Sequence, residues 1–391
     1  MRRILACATL CVVFGSQGVF ATPWAPERDN EVLERLPAST DARARALRAL
    51  QREHAAAPHD LAIAVRVARA SIEVGRAESD PRYFGWAEGA IAEWFSLREP
   101  PLDVLLLRAT LRQNRHEFAA ALEDLGQLLA RDPRNAQGWL TAAVIHQVQG
   151  RVATARQDCL PLLRLAPPLV ATTCIASVGS LSGQGARSFE LLTRAIDRTT
   201  DAEPAERLFA FATAAEMAVR LGRAADAERF FAAGLAIAPR DAGLLAARAD
   251  FLLDAGRGEE VVALLSGEAR VDGLLLRLAL AEQRLASPAL AAHRVELAAR
   301  YAASRMRGDA LHQGEEARAS LELFGDAREA LRLAAANFGL QREPRDLRVL
   351  IEAALAAGDR RAAEPAVRLI HESSLEDVRL QPLVARLERP E

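Results

Sequence analysis

One stretch of the sequence contains the residue types of a thiol nucleophile, a base and an orienting acid. In WLTAAVIHQVQGRVATARQDCLPLLRLAP, residues 139–167, His146 precedes Asp158 and Cys159 by a few helical turns. Thiol catalysis needs these side chains to converge, because the base must take the thiol proton. Asp158 and Cys159 are adjacent, so on a helix they point about 100° apart. We therefore expect no catalytic residue here and interpret His146 and Cys159 as packing residues.

The composition indicates which elements carry these residues. The chain has 391 residues, of which half are hydrophobic and 5% are aromatic. Ala, Leu and Arg dominate, and these residue types favour helices over strands. The formal net charge is -2, which gives no indication of wholesale binding to nucleic acid or to an anionic membrane. The composition therefore predicts an all-α protein.

The N-terminus has the pattern of a secretory signal peptide. Arg2 and Arg3 precede the apolar run ILACATLCVVFG, and the polar segment SQGVFA ends at Ala21. Small residues at the two positions that a signal peptidase reads predict cleavage after Ala21. The alternative is an uncleaved anchor, but the apolar run is shorter than the roughly 20 residues that span a bilayer. We expect a periplasmic or secreted protein with no membrane span after cleavage.

A repeat of 34 residues runs through the chain. In a frame that begins at residue 136, small residues recur at the eighth and twentieth places, glycine at the fifteenth and proline at the thirty-second. Small residues let two antiparallel helices approach closely, glycine ends the first helix, and proline ends the second. The recurring residues are Ala68, Ala109, Ala143, Ala215 and Ala249, then Gly75, Gly150, Gly222, Gly256 and Gly358, then Ala121, Ala155, Ala227 and Ala363, and finally Pro133, Pro167 and Pro239.

This pattern resembles the tetratricopeptide repeat family, and the match is tightest in residues 105–133, 139–167 and 211–239. The resemblance implies an all-α, right-handed superhelical array of antiparallel helix pairs, an α-solenoid. This chain matches the family only at the positions that tolerate the most residue types. Where the family usually has Trp, Leu, Gly and Tyr along the first helix, this chain has Trp139, Ala142, Ala143 and His146.

The predicted organisation has four parts. A signal peptide covers residues 1–21, a lead-in with a capping helix covers 22–59, about nine degenerate helix pairs cover 60–376, and a C-terminal capping helix and tail cover 377–391. Terminal repeats need a polar outer face, which is the reason to expect caps. Pro161 is expected to kink a second helix, because it removes a backbone hydrogen bond.

The resemblance places a candidate binding surface on the concave face, where first helices present their second, fifth, ninth and twelfth places. These places share one face of a helix. Their side chains are basic near the start, amide or hydroxyl in the middle and acidic towards the end, which suits an extended peptide in a fixed direction. The alternative is a set of ordinary solvated positions. The predicted partner-binding residues are Arg69, Thr110, Gln113, Gln147, Glu216, Arg220, Asp250 and Glu352.

Cys159 and Cys174 are the cysteines that remain after signal cleavage. They fall on a second helix and on the first helix of the next unit, and such helices pack side by side. In an oxidising compartment a disulfide between them would contribute about 3 kcal/mol. The alternative is two separate buried thiols, and the Cα separation decides between the two.

Other chemistry is weakly indicated. The remaining histidines are scattered, and HEFAA at 116 lacks the second His of a zinc helix motif, so we expect no metal and no cofactor. The segment GSLSGQG, residues 179–185, lacks the preceding strand and the following lysine of a phosphate-binding loop. Adjacent acids such as Glu315 and Glu316 are expected to be surface charges.

The sequence therefore predicts an exported, non-catalytic scaffold that binds a protein or extended peptide in the cell envelope, and no nucleic acid. An alternative from another class is a hydrolase or lyase that acts on peptidoglycan through a groove carboxylate. A desolvated glutamate at the base of a deep pocket would favour that alternative. A third interpretation is an adaptor that only oligomerises, through an apolar patch on its convex side.

Overall fold

The computed structural model describes residue 28, residues 42–307 and residues 313–389. The predicted signal peptide and most of the lead-in therefore lie outside the described residues. The chain divides into two units, Met1–Arg45 and Ala46–Glu391, and the second unit is the helical array. Within the described ranges every regular element is a helix. None of those helices has the length and apolar character needed to cross a bilayer.

The helices follow one another as antiparallel pairs, with α1 (Ala42–Ala56) before the first pair. The first five pairs comprise α2 (Leu61–Glu78) with α3 (Arg82–Ala90) and the short α4 (Ala92–Phe95), α5 (Leu102–Asn114) with α6 (Phe118–Arg131), α7 (Ala136–Val148) with α8 (Val152–Cys159) and α9 (Leu162–Leu165), α10 (Pro168–Gly179) with α11 (Gly185–Arg198), and α12 (Pro204–Arg220) with α13 (Ala224–Ile237).

The last four pairs continue this order to the C-terminus. They comprise α14 (Ala242–Asp254) with α15 (Gly258–Leu265), α16 (Asp272–Arg284) with α17 (Leu290–Met306), α18 (Gln313–Ala319) and a π-helical turn (Ser320–Phe324) with α19 (Ala327–Leu340), and α20 (Pro344–Ala357) with a 3₁₀ turn (Arg360–Ala363) and α21 (Glu364–Ser373), before α22 (Gln381–Glu388). The described residues thus form nine pairs, and the fold is a tetratricopeptide-like α-solenoid.

The small residues of the repeat lie where the helices touch. All nine recurring alanines of the eighth and twentieth places are at most 1% exposed. The buried core is a row of overlapping clusters in chain order, from residues 47–111 at one end to 317–384 at the other. Sequential clusters of this kind are expected when each repeat packs mainly on its neighbours. The 34-residue periodicity that predicted the helix pairs therefore reflects the regular spacing of the contacts between packed helices.

The recurring glycines end first helices in four repeats but not in the first. Gly150, Gly222, Gly256 and Gly358 have φ between 69° and 72°, the left-handed region that a Cβ disfavours. Gly75 instead lies inside α2, which continues to Glu78. A Cβ at Gly75 would lie 2.9 Å from the Cβ of Tyr83. Helix α2 thus continues three residues beyond the glycine of the frame, and this glycine allows Tyr83 to pack closely.

Pro161 divides a second helix, as the sequence predicts. Helix α8 ends at Cys159, and the short α9 begins at Leu162. Proline has no N–H to donate and its ring crowds the preceding turn, so the helical hydrogen bonds stop there.

A C-terminal capping helix and tail were predicted over residues 377–391. In the structure the helix of this segment, α22, covers only Gln381–Glu388.

Candidate functional site

The thiol, base and acid of residues 139–167 do not form a nucleophilic site. Cys159 is bonded to Cys174 with a Cα separation of 5.8 Å, and both residues are buried. The sulfur is therefore not available as a thiolate nucleophile. His146 faces Asp158, since its Nδ1 lies 2.6 Å from Oδ2 of that carboxyl. The antiparallel packing of α7 and α8 brings these two residues together.

A cavity of about 540 Å³ lies between the first helices α2, α5 and α7 and the more distant α12. Nine of its thirteen lining residues fall at the second, fifth, ninth and twelfth places of their repeats, which the family resemblance assigns to the concave face. The apolar part of its wall consists of five aliphatic side chains and one aromatic ring, from Ile72, Leu106, Leu107, Leu140, Val144 and Phe209, and the other seven lining residues are polar or charged. Three of the predicted binding residues, Arg69, Thr110 and Gln113, line the same cavity.

Polar groups on the cavity wall retain binding capacity. The side-chain amide of Gln113 has no hydrogen-bond partner among the residues that the structure describes. Thr110 donates its hydroxyl proton to the carbonyl of Leu106 at 2.8 Å, so that hydroxyl can still accept a hydrogen bond. Arg69 pairs with Asp103 at the surface, and exposed pairs of this kind are weak. All three side chains can therefore contact a ligand.

Arg76 is a cavity residue that sequence reasoning missed. Its guanidinium makes neither a hydrogen bond nor an ion pair within the described part of the chain. The surrounding protein desolvates this cation and lowers its pKa, while Glu73 opposes the change. Arg76 lies beyond the usual end of a first helix and joins the cavity because α2 is extended. Phe209, at the second place of its repeat, could have been predicted from the 34-residue frame.

Four of the other predicted binding side chains already have partners within the protein. Gln147 accepts a hydrogen bond from Ser177 at 3.0 Å, and the buried Arg220 donates to Ser180 at 2.6 Å. The remaining two are carboxylates held by arginines. Asp250 binds Arg277 and Arg318, and Glu352 binds Arg348, at distances of 2.5–2.8 Å. Their role in partner binding stays a prediction.

Glu216 is different, since its carboxylate has no hydrogen-bond partner among the described residues. It lies on α12 two turns after Phe209, so both side chains share one face of that helix. Desolvation by the surrounding protein raises the pKa of Glu216, an effect that Arg220 opposes and Glu343 reinforces. Glu216 is therefore an exposed carboxylate with a raised pKa, and it does not line the cavity.

The expectation of surface charges is wrong for Glu316. This carboxylate is 6% exposed and pairs with Arg305. Its neighbour Glu315 accepts two hydrogen bonds of 3.0 Å from the buried Arg277. The packing of α18 against α16 explains the contact of Glu315 with Arg277, whereas Arg305 reaches Glu316 from α17. No group of three potential metal ligands occurs within the residues that the structure describes.

Two C-terminal loops lie across turns that join the first and second helices of earlier pairs. The amide of Arg342 donates to the carbonyl of Val148 at 2.7 Å, and the amide of Val378 donates to that of Arg220 at 2.9 Å. We call residues 374–380, between α21 and α22, the C-terminal strap. Asp377 shapes the strap as a turn by accepting from the amide of Arg379, which is why the predicted capping helix begins only at Gln381.

No family model matches the chain, and no curated protein matches it. A solved tetratricopeptide repeat protein from Parabacteroides merdae is 15% identical over 60% of this chain and 92% of its own, with a TM-score of 0.43. Human IFIT1 with PPP-AAAA is 14% identical over 84% and 86%, with a TM-score of 0.47. The APC/C hetero-tetramer Cut9-Hcn1 is 13% identical over 89% and 87%, with a TM-score of 0.39. The fold class, a tetratricopeptide-like repeat protein, rests on the helix pairs of this chain.

Proposed function

We propose that this chain is an exported, non-catalytic scaffold of the periplasm that binds a protein or extended peptide in the cavity between α2, α5, α7 and α12. The observation that carries this proposal is the cavity itself. Its volume of about 540 Å³ falls in the range of ligand sites, roughly 300–1,000 Å³. It combines apolar walls with polar side chains that the fold leaves available.

The cavity chemistry suits a peptide segment. The aliphatic walls and Phe209 can bury an apolar side chain, and this burial supplies most of the binding free energy. The amide of Gln113 offers both a donor and an acceptor to a peptide backbone. Arg76, which has no ion-pair partner within the described residues, places a cation beside these groups, and Glu73 lines the same wall. The proposal assigns binding chiefly to Arg69, Thr110 and Gln113 among the predicted residues, together with Arg76.

Changing Arg76 to alanine is expected to weaken partner binding about tenfold, because a hydrogen bond to a charged group contributes about 1.5 kcal/mol or more. The measurement is the dissociation constant of a partner captured from the envelope fraction by the wild-type chain. Arg156→Ala is the control, because Arg156 is exposed on the second helix α8 and does not line the cavity. Equal affinities of Arg76→Ala and Arg156→Ala for the partner would contradict the assignment.

Glu216 supports a second candidate function, an envelope hydrolase or lyase that acts on peptidoglycan. A carboxyl with a raised pKa and no internal partner is a candidate general acid. Asp250 and Glu352 are held by arginines, so the groove-carboxylate hypothesis now depends on Glu216. The test is release of soluble fragments from purified peptidoglycan. Activity that Glu216→Gln abolishes would support the enzyme, and no release by the wild type would exclude this candidate.

A further inference from the structure

Helix α2 presents a row of alternating charges to the cavity. Arg69, Glu73 and Arg76 all line the wall, and spacings of four and three residues place them on one face of a helix. Arg69 is paired with Asp103. Glu73 and Arg76 form neither a hydrogen bond nor an ion pair with any residue that the structure describes. The fold therefore leaves one anion and one cation available on the same wall.

Glu73 and Arg76 do not bind each other, although they are neighbours on the helix. Residues three apart have Cβ atoms about 5–6 Å from one another, yet these two side chains form no ion pair. The charge of Glu73 still acts on Arg76, since it opposes the lowering of the arginine pKa by burial. A ligand can therefore meet both charges without first breaking an ion pair between them.

A ligand that satisfies both charges has an ammonium group and a carboxylate a short distance apart. The ends of an extended dipeptide are about 6–7 Å apart, since each residue spans at most about 3.3–3.6 Å. Head groups that extend in parallel from Cβ atoms about 5–6 Å apart match this separation. In a free amino acid the two groups are only about 2.5 Å apart, and in a tripeptide about 10 Å. The spacing of Glu73 and Arg76 thus suits a dipeptide.

The rest of the cavity wall fits the other groups of a dipeptide. Its single peptide bond has one donor and one acceptor, and the side-chain amide of Gln113 complements both. The hydroxyl of Thr110 can accept a further hydrogen bond. Ile72, beside Glu73 on α2, and Phe209 on α12 provide apolar surface for aliphatic side chains. The cavity volume of about 540 Å³ is in the range of small-ligand sites.

We propose that the cavity binds an apolar dipeptide with both ends free, its ammonium group at Glu73 and its carboxylate at Arg76. This inference rests on the proposed function and narrows the ligand of the cavity from a protein or extended peptide to a dipeptide. The two fail separately. An envelope protein that crosslinks to a photoreactive residue at position 144 would retain the proposed function even if free dipeptides did not bind.

The test is isothermal titration calorimetry of the full chain with leucyl-leucine, with its N-acetylated form and with its C-terminal amide. Each cap removes one charge, so each should weaken binding to the wild type about tenfold. Glu73→Gln should weaken binding of leucyl-leucine to a similar extent. In this variant N-acetylation should have no further effect, because the ammonium group has lost its partner, while amidation should still weaken binding.

Arg76→Ala should give the reverse pattern, with amidation neutral and N-acetylation still harmful. A cycle of this kind isolates the contact between one side chain and one end of the ligand. Glu123→Gln and Arg156→Ala are matched controls that should bind all three peptides like the wild type, because both residues are exposed on second helices and do not line the cavity. Absence of binding, equal affinities for the free and capped peptides, or cap effects that both cavity variants retain would overturn the proposal.

Discussion

Replacing Asp250 with alanine is expected to destabilise the protein by about 2–3 kcal/mol, one of the largest effects of any single substitution in this chain. Asp250 accepts hydrogen bonds from Arg277 at 2.7 Å and from Arg318 at 2.5 Å. Arg277 is only 3% exposed, and Arg318 is 14% exposed at its side chain. Removing the carboxylate leaves two poorly hydrated cations close together with one carboxylate each, Glu315 at Arg277 and Glu322 at Arg318.

The measurement is the free energy of unfolding from urea titration. Glu352→Ala is the control, because Glu352 forms a partly exposed pair with Arg348 one helical turn away. Such pairs contribute about 0.3–0.5 kcal/mol. If Asp250→Ala and Glu352→Ala had the same small effect, the contacts of Asp250 with Arg277 and Arg318 would not stabilise the packing of α14, α16 and α18.

Acidification should remove the contribution of Asp250 in a defined direction. Burial alone would raise the pKa of this carboxyl, but Arg277 and Arg318 outweigh burial and hold the pKa well below its usual value. A depressed pKa contributes stability that is present above the unfolded-state pKa, about 3.9, and is lost as pH falls through the folded-state pKa. The stability difference between wild type and Asp250→Asn should therefore shrink below about pH 4. A difference that grows on acidification would contradict this assignment.

Loss of the disulfide is expected to cost about 3 kcal/mol, because the bond closes a loop of 15 residues in the unfolded chain. The variant Cys159→Ala/Cys174→Ala removes the bond without leaving a buried polar group. Its urea midpoint should fall to that of the reduced wild type. The double variant itself should not respond to reductant, which is the internal control. A wild-type midpoint that reductant leaves unchanged would show that the disulfide does not stabilise the chain.

Much of this fold follows from local patterns in the sequence. The small residues at two fixed places predicted the helix pairs, since the buried contact between antiparallel helices tolerates little beyond alanine. The same frame predicted the concave face, and nine of the thirteen residues that line the cavity fall at its second, fifth, ninth and twelfth places. Arg76 was missed because α2 runs to Glu78, and the frame ends the first helix at Gly75.

The position of the C-terminal strap and the pairing of each carboxylate with arginines depend on contacts between distant parts of the chain. Arg379 reaches Asp254 across more than a hundred residues, and Arg318 reaches Asp250 across 68. Contacts between such distant residues depend on how successive repeats are rotated against one another, which a repeat frame does not specify. A repeat frame therefore places Glu216 and Asp250 on one face, but it does not show that only Asp250 is bound by arginines.

The central claim, that the cavity between α2, α5, α7 and α12 binds the partner, is tested most directly by site-specific photo-crosslinking. One variant has a photoreactive residue in place of Val144, which lines the cavity. The other has it in place of Leu163, which is 59% exposed and does not line the cavity. We predict that envelope peptides crosslink at 144 and not at 163, and that Arg76→Ala reduces the yield. Absence of adducts at 144, or the same adducts at both positions, would contradict the claim.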